Sequence, residues 1–149
     1  MHVYQSTVSA EAPLWMSEIV CAPSFNETDP MGVVWHGNYL RFFESAREAL
    51  FDALNYGYKE MNRTGYIWPV VETKIKYRLP WMLEEKARVI AKIAEYENRL
   101  RIKYEIQRER DGKLLTAGET VHMAFDLENK AALLETPEVF RKKLGLMDK

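Results

Sequence analysis

The fold is decided by one continuous stretch, DPMGVVWHGNYLRFFESAREALFDAL, which covers residues 29–54. Its second part places apolar residues three and four positions apart, which is the spacing of one face of a helix. Those residues are Tyr39, Phe42, Phe43, Ala46, Ala49, Leu50, Ala53 and Leu54. Asn38 is suited to cap the start of this helix, and Gly57 is suited to end it. We therefore predict one long amphipathic helix over residues 39–54, entered from a loop.

The loop in front of the helix is predicted from its turn-forming residues. Pro30 disfavours a helical backbone at Asp29, and Gly32 permits a sharp turn. Before this loop, an apolar run within residues 14–25 predicts a strand. Residues 1–13 are polar and end at Pro13, so we expect a loose N-terminal arm there.

Downstream of the helix, the apolar pattern changes from a helical period to alternation, which predicts strands. Alternation is clear in residues 71–77, 89–93 and 102–106, and Asp111-Gly112 is a strong hairpin signal. In the last strand, the pattern puts Leu115, Ala117 and Val121 on one apolar face. Pro137 begins a short closing helix.

This order of elements predicts an α+β fold, in which an antiparallel sheet of about five strands wraps around one long central helix. The whole chain, residues 1–149, is expected to form a single domain, because 149 residues leave no room for a second. Such a sheet has open edges, so we expect edge-to-edge pairing of two copies.

Composition narrows the function. The 21 basic and 22 acidic residues give a net charge of −1, which argues against a nucleic-acid-binding surface. No apolar run approaches the length of a membrane span, and the N-terminus lacks the pattern of a signal peptide. The lone Cys21 excludes an internal disulfide, and the three histidines show no metal-ligand spacing. We expect a cytoplasmic protein.

The loop and the start of the helix resemble a known family. The pattern runs from Asp29 through Gly32, two apolar residues, Trp35 and His36 to Asn38-Tyr39 at the helix start, and continues through residues 42–47. It is similar to the signature of the hotdog-fold acyl-CoA thioesterases, in particular the 4-hydroxybenzoyl-CoA thioesterase family with its Tol–Pal-associated members. The resemblance implies a hotdog fold and hydrolysis of an acyl- or aryl-CoA thioester to free acid and CoA, without a metal or redox cofactor.

The same resemblance implies roles for residues. Asp29 corresponds to the catalytic carboxylate, as nucleophile or as general base, and the backbone N–H of His36 or a close neighbour corresponds to the oxyanion hole. Gly32 and Gly37 would let the backbone approach the acyl group. The other residues of the string that we assign to the substrate pocket are Val34, Trp35, Asn38 and Tyr39. A facing wall donated across a subunit interface is assigned to Val70, Val71, Glu72 and Thr73, in a homodimer or homotetramer.

Several interpretations stay open at this point. Asp29 could serve only as a turn residue, and His36 could act through its backbone or as a general base. Glu44 and Arg47 lie three residues apart and form either an ordinary helix pair or part of the site. The alternatives in function are a hotdog-fold enoyl-thioester hydratase or dehydratase and a non-catalytic acyl-thioester-binding protein. The sequence does not choose between CoA and acyl carrier protein, nor among acyl chains.

Overall fold

The computed structural model describes residues 1–10 and 15–146 of the chain. Its main helix, α1, covers Tyr39–Ala53, where the spacing of apolar residues predicts it. Two shorter helices follow, α2 at Tyr58–Thr64 and α3 at Glu138–Lys143. Within these described residues, no helix has the length and apolar character that a membrane crossing requires.

Two antiparallel sheets accompany the helices. The strands of the larger sheet are β1 His2–Ser9, β2 Met16–Ala22, β4 Val70–Tyr77, β5 Ala87–Glu95, β6 Leu100–Arg108 and β7 Leu114–His122. Those of the smaller sheet are β3 Tyr66–Ile67, β8 Phe125–Asp126 and β9 Ala131–Ala132. The order in the larger sheet is β1-β2-β5-β6-β7-β4, and the order in the smaller one is β3-β8-β9.

Helix α1 packs its apolar face against the larger sheet, where it is nearest to β2 and β5. The ring of Phe43 stacks on Tyr104 of β6 with centroids 4.4 Å apart, and Phe42 contacts Trp81 at 4.5 Å. Both phenylalanines are fully buried. Burial of such side chains contributes about 1.5–3 kcal/mol each to folding. The α+β prediction, with a sheet packed on one long helix, is confirmed.

The prediction of a loose N-terminal arm is wrong for residues 2–9. They form β1, which pairs along its length with β2, from His2 opposite Ala22 to Ser9 opposite Met16. Seven of its eight residues are exposed, so β1 buries no apolar face and shows no clear alternation in the sequence. This edge strand is why the sheet has six strands rather than about five. The rest of the predicted arm, residues 11–13, lies outside the described residues.

The apolar face predicted for the last strand is wrong in part: Leu115 is fully buried in the core, but Ala117 and Val121 lie on the side of β7 that faces away from α1. A side chain at Gly118 of β7 would overlap the ring of Phe43 on α1, which shows that the even-numbered positions face the helix. Those positions carry Thr116, Thr120 and His122, all of them buried. The register slips at the start of β7, because Thr116 pairs with Ile106 whereas Leu114 pairs with Gln107. This irregularity shifts the phase of the alternation.

Strand β4 is the other edge of the larger sheet, and its neighbour on the inner side is β7. Of its eight residues, only Ile75 is not exposed, so the predicted burial of one face does not occur within a single chain. Val70 and Tyr77, at its two ends, are 46% and 49% exposed. The strand therefore presents apolar side chains and unpaired backbone groups together, which favours pairing with another strand.

Candidate active site

The loop with Asp29 is a closed turn held from both sides. The N–H of Asp29 donates to the carbonyl of Val33 at 2.8 Å, and the N–H of Gly32 donates back to the carbonyl of Asp29 at 3.0 Å. Gly32 has a φ of +79°, in the region that favours glycine. The N–H of Val34 donates to the carbonyl of Trp81 at 2.8 Å and ties the loop to the segment between β4 and β5. The carboxylate is therefore presented from a fixed backbone.

The side chain of Asp29 is compatible with both interpretations that the sequence leaves open, a turn residue and a catalytic carboxylate. Its Oδ1 accepts the N–H of Met31 at 2.8 Å, which is the hydrogen bond of an Asx turn. Among the described residues, no hydrogen bond reaches its Oδ2. The residue is partly exposed. One carboxylate oxygen is thus held in place while the other is open to a substrate or a water molecule.

The entry to α1 is a short 3₁₀ helix over His36–Asn38. Its first two N–H groups, those of His36 and Gly37, precede the first hydrogen bond of the turn, which runs from Asn38 N–H to the Trp35 carbonyl at 2.9 Å. Within the described residues, neither of these N–H groups has a backbone partner. Free N–H groups at a helix start are suited to bind an oxyanion.

Asn38 stabilises this entry in a different way from the predicted cap. Its backbone is helical and its side chain makes no capping hydrogen bond. Instead, its Nδ2 donates to the carbonyl of Glu27 at 2.9 Å, and the N–H of Trp35 donates to the same carbonyl at 3.0 Å. Asn38 therefore occupies the predicted N-cap position, but its side chain ties the helix entry to the segment before Asp29 instead of capping the helix.

A cavity of about 280 Å³ brings the loop and the helix entry together. Asp29 and His36 both line it, with Tyr39 of α1. Burial raises the pKa of Tyr39, and the nearby charge of Asp29 adds to the increase. A phenol that stays protonated can donate a hydrogen bond there. The cavity is lined by Asp29, Val33, Val34, His36, Tyr39, Tyr77, Arg78, Leu79 and Pro80.

The end of β4 contributes residues that the sequence analysis missed. The hydroxyl of Tyr77 donates to the carbonyl of His36 at 2.8 Å, and its ring packs edge-on against Tyr39 at 5.0 Å. Arg78, the next residue, also lines the cavity. Tyr77 is far from the loop in the sequence and alternates with charged residues like any strand residue. No sequence signal distinguishes it from an ordinary strand position.

The remaining predicted site residues are distributed as follows. Gly32, Trp35, Gly37 and Asn38 shape the turns but do not line the cavity, whereas Val34 lines it and is buried. A side chain at Gly37 would overlap the Trp35 indole, so the glycine here leaves room for a ring of its own chain. Val70, Val71, Glu72 and Thr73 lie at the opposite end of β4 from Tyr77, outside the cavity of their own chain. Their assignment to a partner subunit stays a prediction.

A second and larger cavity, of about 600 Å³, lies along the other end of α1. Its walls come from α1, from α2 and from the segment around Trp68, and they are mostly apolar. The lining residues are Glu44, Arg47, Glu48, Phe51, Asp52, Gly57, Tyr58, Met61, Asn62, Ile67, Trp68, Pro69, His122 and Leu127.

Four polar side chains, three of them buried, form a series of contacts that begins at Arg47 and includes His122, the two members that line this larger cavity. Arg47 Nη1 donates to the Tyr104 hydroxyl at 3.2 Å, which lies 2.8 Å from the Thr120 hydroxyl. The Thr120 hydroxyl lies 2.8 Å from His122 Nε2, and His122 Nδ1 lies 2.9 Å from the Trp68 carbonyl. We call this series of contacts, from Arg47 to the Trp68 carbonyl, the polar file. Burial, with a smaller contribution from the charge of Arg47, lowers the pKa of His122 to about 4.

No metal site accompanies either cavity in the part of the chain that the structure describes. There, no group of three or more His, Cys, Asp or Glu side chains lies in a position to hold a metal ion. Burial raises the pKa of the Cys21 thiol to about 12, so this cysteine is not a nucleophile near neutral pH.

Comparison with known proteins gives consistent matches. Residues 23–144 match the sequence model of a family described as the thioesterase-like superfamily. A Bacillus subtilis protein with the provisional name acyl-CoA thioesterase YneP is 40% identical over 72 residues, which cover 48% of this chain and 52% of that protein. A provisionally named esterase of Synechocystis sp. is 26% identical over 143 residues, or 95% of this chain and 86% of that one.

A solved structure extends the match to three dimensions. The crystal structure of the DHNA-CoA thioesterase from Staphylococcus aureus superimposes with a TM-score of 0.72 at 32% sequence identity. The superposition covers 80% of each chain. The Bacillus protein, in contrast, is matched over only about half of its own length.

Proposed function

Because the chain belongs to the thioesterase-like superfamily, a family of hotdog-fold thioester hydrolases, we propose that it hydrolyses an acyl-CoA thioester to the free acid and CoA. The family resemblance drawn from residues 29–47 is confirmed by these matches. One observation supports the assignment of the reaction centre. Asp29 and His36 line the same cavity, at a helix entry whose first N–H groups are free of backbone partners within the described residues.

In the proposed reaction, the thioester carbonyl oxygen binds at the N–H groups of His36 and Gly37. Acting as general base, Asp29 takes a proton from water while the water oxygen attacks the carbonyl carbon. The N–H groups stabilise the resulting oxyanion, and its collapse breaks the C–S bond. The CoA thiolate then takes the proton held by Asp29.

Asp29 could instead act as nucleophile, in which case its free oxygen attacks the carbonyl carbon, the C–S bond breaks and the CoA thiolate leaves an anhydride. Water then attacks the Asp29 carbonyl of this anhydride, which restores the Asp29 carboxylate, releases the acid and supplies a proton to the thiolate. A single turnover in ¹⁸O-labelled water distinguishes the two roles. Label in the Asp29 carboxylate after turnover supports the anhydride, whereas label only in the product acid supports the general base.

The test of the proposed function is thiol release from a panel of acyl-CoA esters, with parent and Asp29→Asn protein side by side. We expect the substitution to remove nearly all turnover at an unchanged melting temperature. Asp111→Asn makes the same chemical change in the exposed β6–β7 hairpin and is the matched control. Equal rates in the parent and Asp29→Asn proteins would refute the assignment. If thiol is released only from acyl carrier protein esters, CoA is the wrong carrier, and the proposed thioester hydrolysis still stands.

A substitution at His36 distinguishes catalysis by its backbone N–H from catalysis by its side chain. If only its N–H binds the oxyanion, His36→Ala should cost much less activity than Asp29→Asn. A specific observation keeps the hydratase alternative in view, since His36 and Asp29 line one cavity, as a carboxylate–imidazole pair for hydration would require. Hydration of an enoyl-CoA that is lost in both Asp29→Asn and His36→Ala would favour that alternative.

We further propose that the protein is a homodimer that pairs β4 with its copy. Antiparallel pairing about the middle of β4 would place Tyr77 of one subunit beside Val70 of the partner subunit. Tyr77 lines the cavity with Asp29, whereas Val70 pairs with His122, which lines the larger cavity. The smaller cavity of one subunit would then adjoin the larger cavity of the other. Sedimentation of the parent protein and a Val71→Asp variant tests this, with a monomeric variant as the expected result.

A further inference from the structure

Building on the proposed thioesterase function, we propose that Arg47 is a specificity-determining residue that binds a neutral oxygen atom on the acyl group. The oxygen is a hydroxyl or carbonyl oxygen remote from the thioester. The site is the larger cavity between α1, α2 and the segment around Trp68. Arg47 donates to the ligand, and Tyr104, Thr120 and His122 of the polar file act as positioning residues.

The size and walls of the cavity suit the remote part of an acyl group. Its volume of about 600 Å³ is within the range of small-molecule sites in proteins. Phe51, Met61, Trp68 and Leu127 provide apolar and aromatic surface, so a chain or ring gains free energy by leaving water. Arg47 and His122, the first and the last side chains of the polar file before the Trp68 carbonyl, also line this cavity.

Arg47 has donors left over for a ligand. Its guanidinium carries five N–H groups, and among the described residues one hydrogen bond leaves it, to Tyr104. Its Nη2 lies 3.8 Å from a Glu44 oxygen, which is too long for a hydrogen bond, and that carboxylate is 62% exposed. The Arg47 side chain itself is only 18% exposed. A largely desolvated cation with unused donors favours a ligand that can accept them.

The polar file fixes the direction of every hydrogen bond in it. Arg47 can only donate, and the Trp68 carbonyl can only accept. A neutral His122 with its proton on Nδ1 donates to that carbonyl and accepts from Thr120 on Nε2. Thr120 then accepts from Tyr104, whose oxygen accepts from Arg47. All four bonds are satisfied in this one arrangement, and it holds the guanidinium at the cavity wall.

A role in packing alone does not account for the polar file. Tyr104, Thr120 and His122 are each at most 1% exposed, on the helix-facing side of the sheet. Replacing both partners of a buried hydrogen bond with apolar groups of the same shape can be nearly neutral or stabilising. Stability alone therefore does not require polar side chains at these positions. What the polar residues add is a fixed orientation of Arg47 toward the cavity.

The charges around the cavity select the kind of oxygen. Glu44, Glu48 and Asp52 follow one another along α1 and line the same cavity as Arg47. Three carboxylates around one guanidinium disfavour a further anion, because like charges repel at short range. A hydroxyl or carbonyl oxygen accepts from Arg47 without this penalty. The expected acyl group is therefore apolar along its length and carries a neutral oxygen.

The experiment compares two acyl-CoA esters of nearly equal size, 8-hydroxyoctanoyl-CoA and nonanoyl-CoA, by their kcat/KM ratio. A hydrogen bond to a charged donor predicts a preference of about tenfold or more for the hydroxyacyl ester in the parent protein. Arg47→Met should bring the ratio to about one, and Tyr104→Phe should lower it in part. Arg41→Met changes an exposed arginine of the same helix outside both cavities and should keep the parent ratio. An unchanged ratio in Arg47→Met would overturn the proposal.

A binding measurement tests the cavity independently of turnover. Benzyl alcohol and toluene have similar rings and differ by the hydroxyl, and their affinities can be compared by ligand-observed NMR. We expect the parent protein to prefer benzyl alcohol and Arg47→Met to lose that preference. If these results hold and no thioester is cleaved, the proposed function fails while the assignment of Arg47 stands. Thiol release without any effect of Arg47 on binding or selectivity refutes the assignment of Arg47 alone.

Discussion

His122 makes the stability of this protein dependent on pH in a way that its surroundings predict. The imidazole is 1% exposed and is held between the Thr120 hydroxyl and the Trp68 carbonyl. Burial lowers its pKa to about 4 from the ordinary 6.5. Protonation would place a donor on Nε2, so Thr120 would accept from His122 and donate to Tyr104 instead of accepting from it. Tyr104 would then receive hydrogen bonds from both Thr120 and Arg47, and its own hydroxyl hydrogen would lose its acceptor.

The sign follows from where the proton binds. In the unfolded chain, His122 takes up a proton as the pH falls below about 6.5, while in the folded protein it stays neutral down to about 4. The unfolded state therefore binds more protons in this window, and stability is lost as the pH falls. One pKa unit corresponds to about 1.4 kcal/mol, so at pH 5 the loss from His122 alone is about 2 kcal/mol.

Urea unfolding at pH 7.5 and pH 5.0 measures this loss in the parent and in His122→Asn, whose amide N–H can still donate to the Trp68 carbonyl. The variant is less stable at both pH values, because the substitution leaves a gap, but its loss between them should be smaller than that of the parent by about 2 kcal/mol. Other titrating groups contribute equally to both proteins. His36→Asn, at an exposed histidine, should follow the parent. Equal losses in the parent and His122→Asn would refute the reasoning.

Three further predictions concern the helix entry and the core. Gly37→Ala should move the Trp35 indole and lower thioester turnover, and the same change in a Trp35→Ala background should have little effect on turnover. Tyr77→Phe removes the hydrogen bond to the His36 carbonyl and should cost about 1 kcal/mol in urea unfolding. Tyr77→Phe should also slow turnover several-fold. An unchanged rate would show that this hydrogen bond does not position the turn at His36–Asn38. Phe42→Ala empties a fully buried position beside Trp81 and should lower the free energy of unfolding by about 3–5 kcal/mol. A loss below about 1 kcal/mol would contradict the packing described.

The sequence predicts most strongly those elements whose signal is local. The spacing of apolar residues identifies α1 because one face of that helix is buried throughout its first three turns. The candidate role of Asp29 is predicted because the residues of the loop and of the helix entry are contiguous in the sequence and form one pattern. Strand β1 escapes prediction because its side chains are exposed on both faces, so no alternation marks it. Its place in the sheet comes from backbone pairing with β2, which leaves little trace in the side chains.

The polar file escapes prediction for a different reason. Arg47, Tyr104 and Thr120 come from α1, β6 and β7, and only the packing of the helix on the sheet brings them together. In the sequence, Glu44 and Arg47 form a common helix pair, and Thr120 is a polar residue in an alternating strand. The apolar residues of β7 suggest the wrong inner face because the register shifts near Leu114.

Under these proposals, helix α1 serves two sites with different parts of its length. Its entry presents Tyr39 beside Asp29 and the N–H groups that have no backbone partner among the described residues, and Arg47 lies about two turns further along, beside the larger cavity. Within one chain, these sites have no lining residue in common. Pairing of β4 with its copy would bring the aspartate of one subunit next to the arginine of the other. In that arrangement, a change at Arg47 alters which acyl group binds, while a change at Asp29 removes cleavage. Heterodimers that carry Asp29→Asn in one subunit and Arg47→Met in the other would then have one active site with both defects and one with neither.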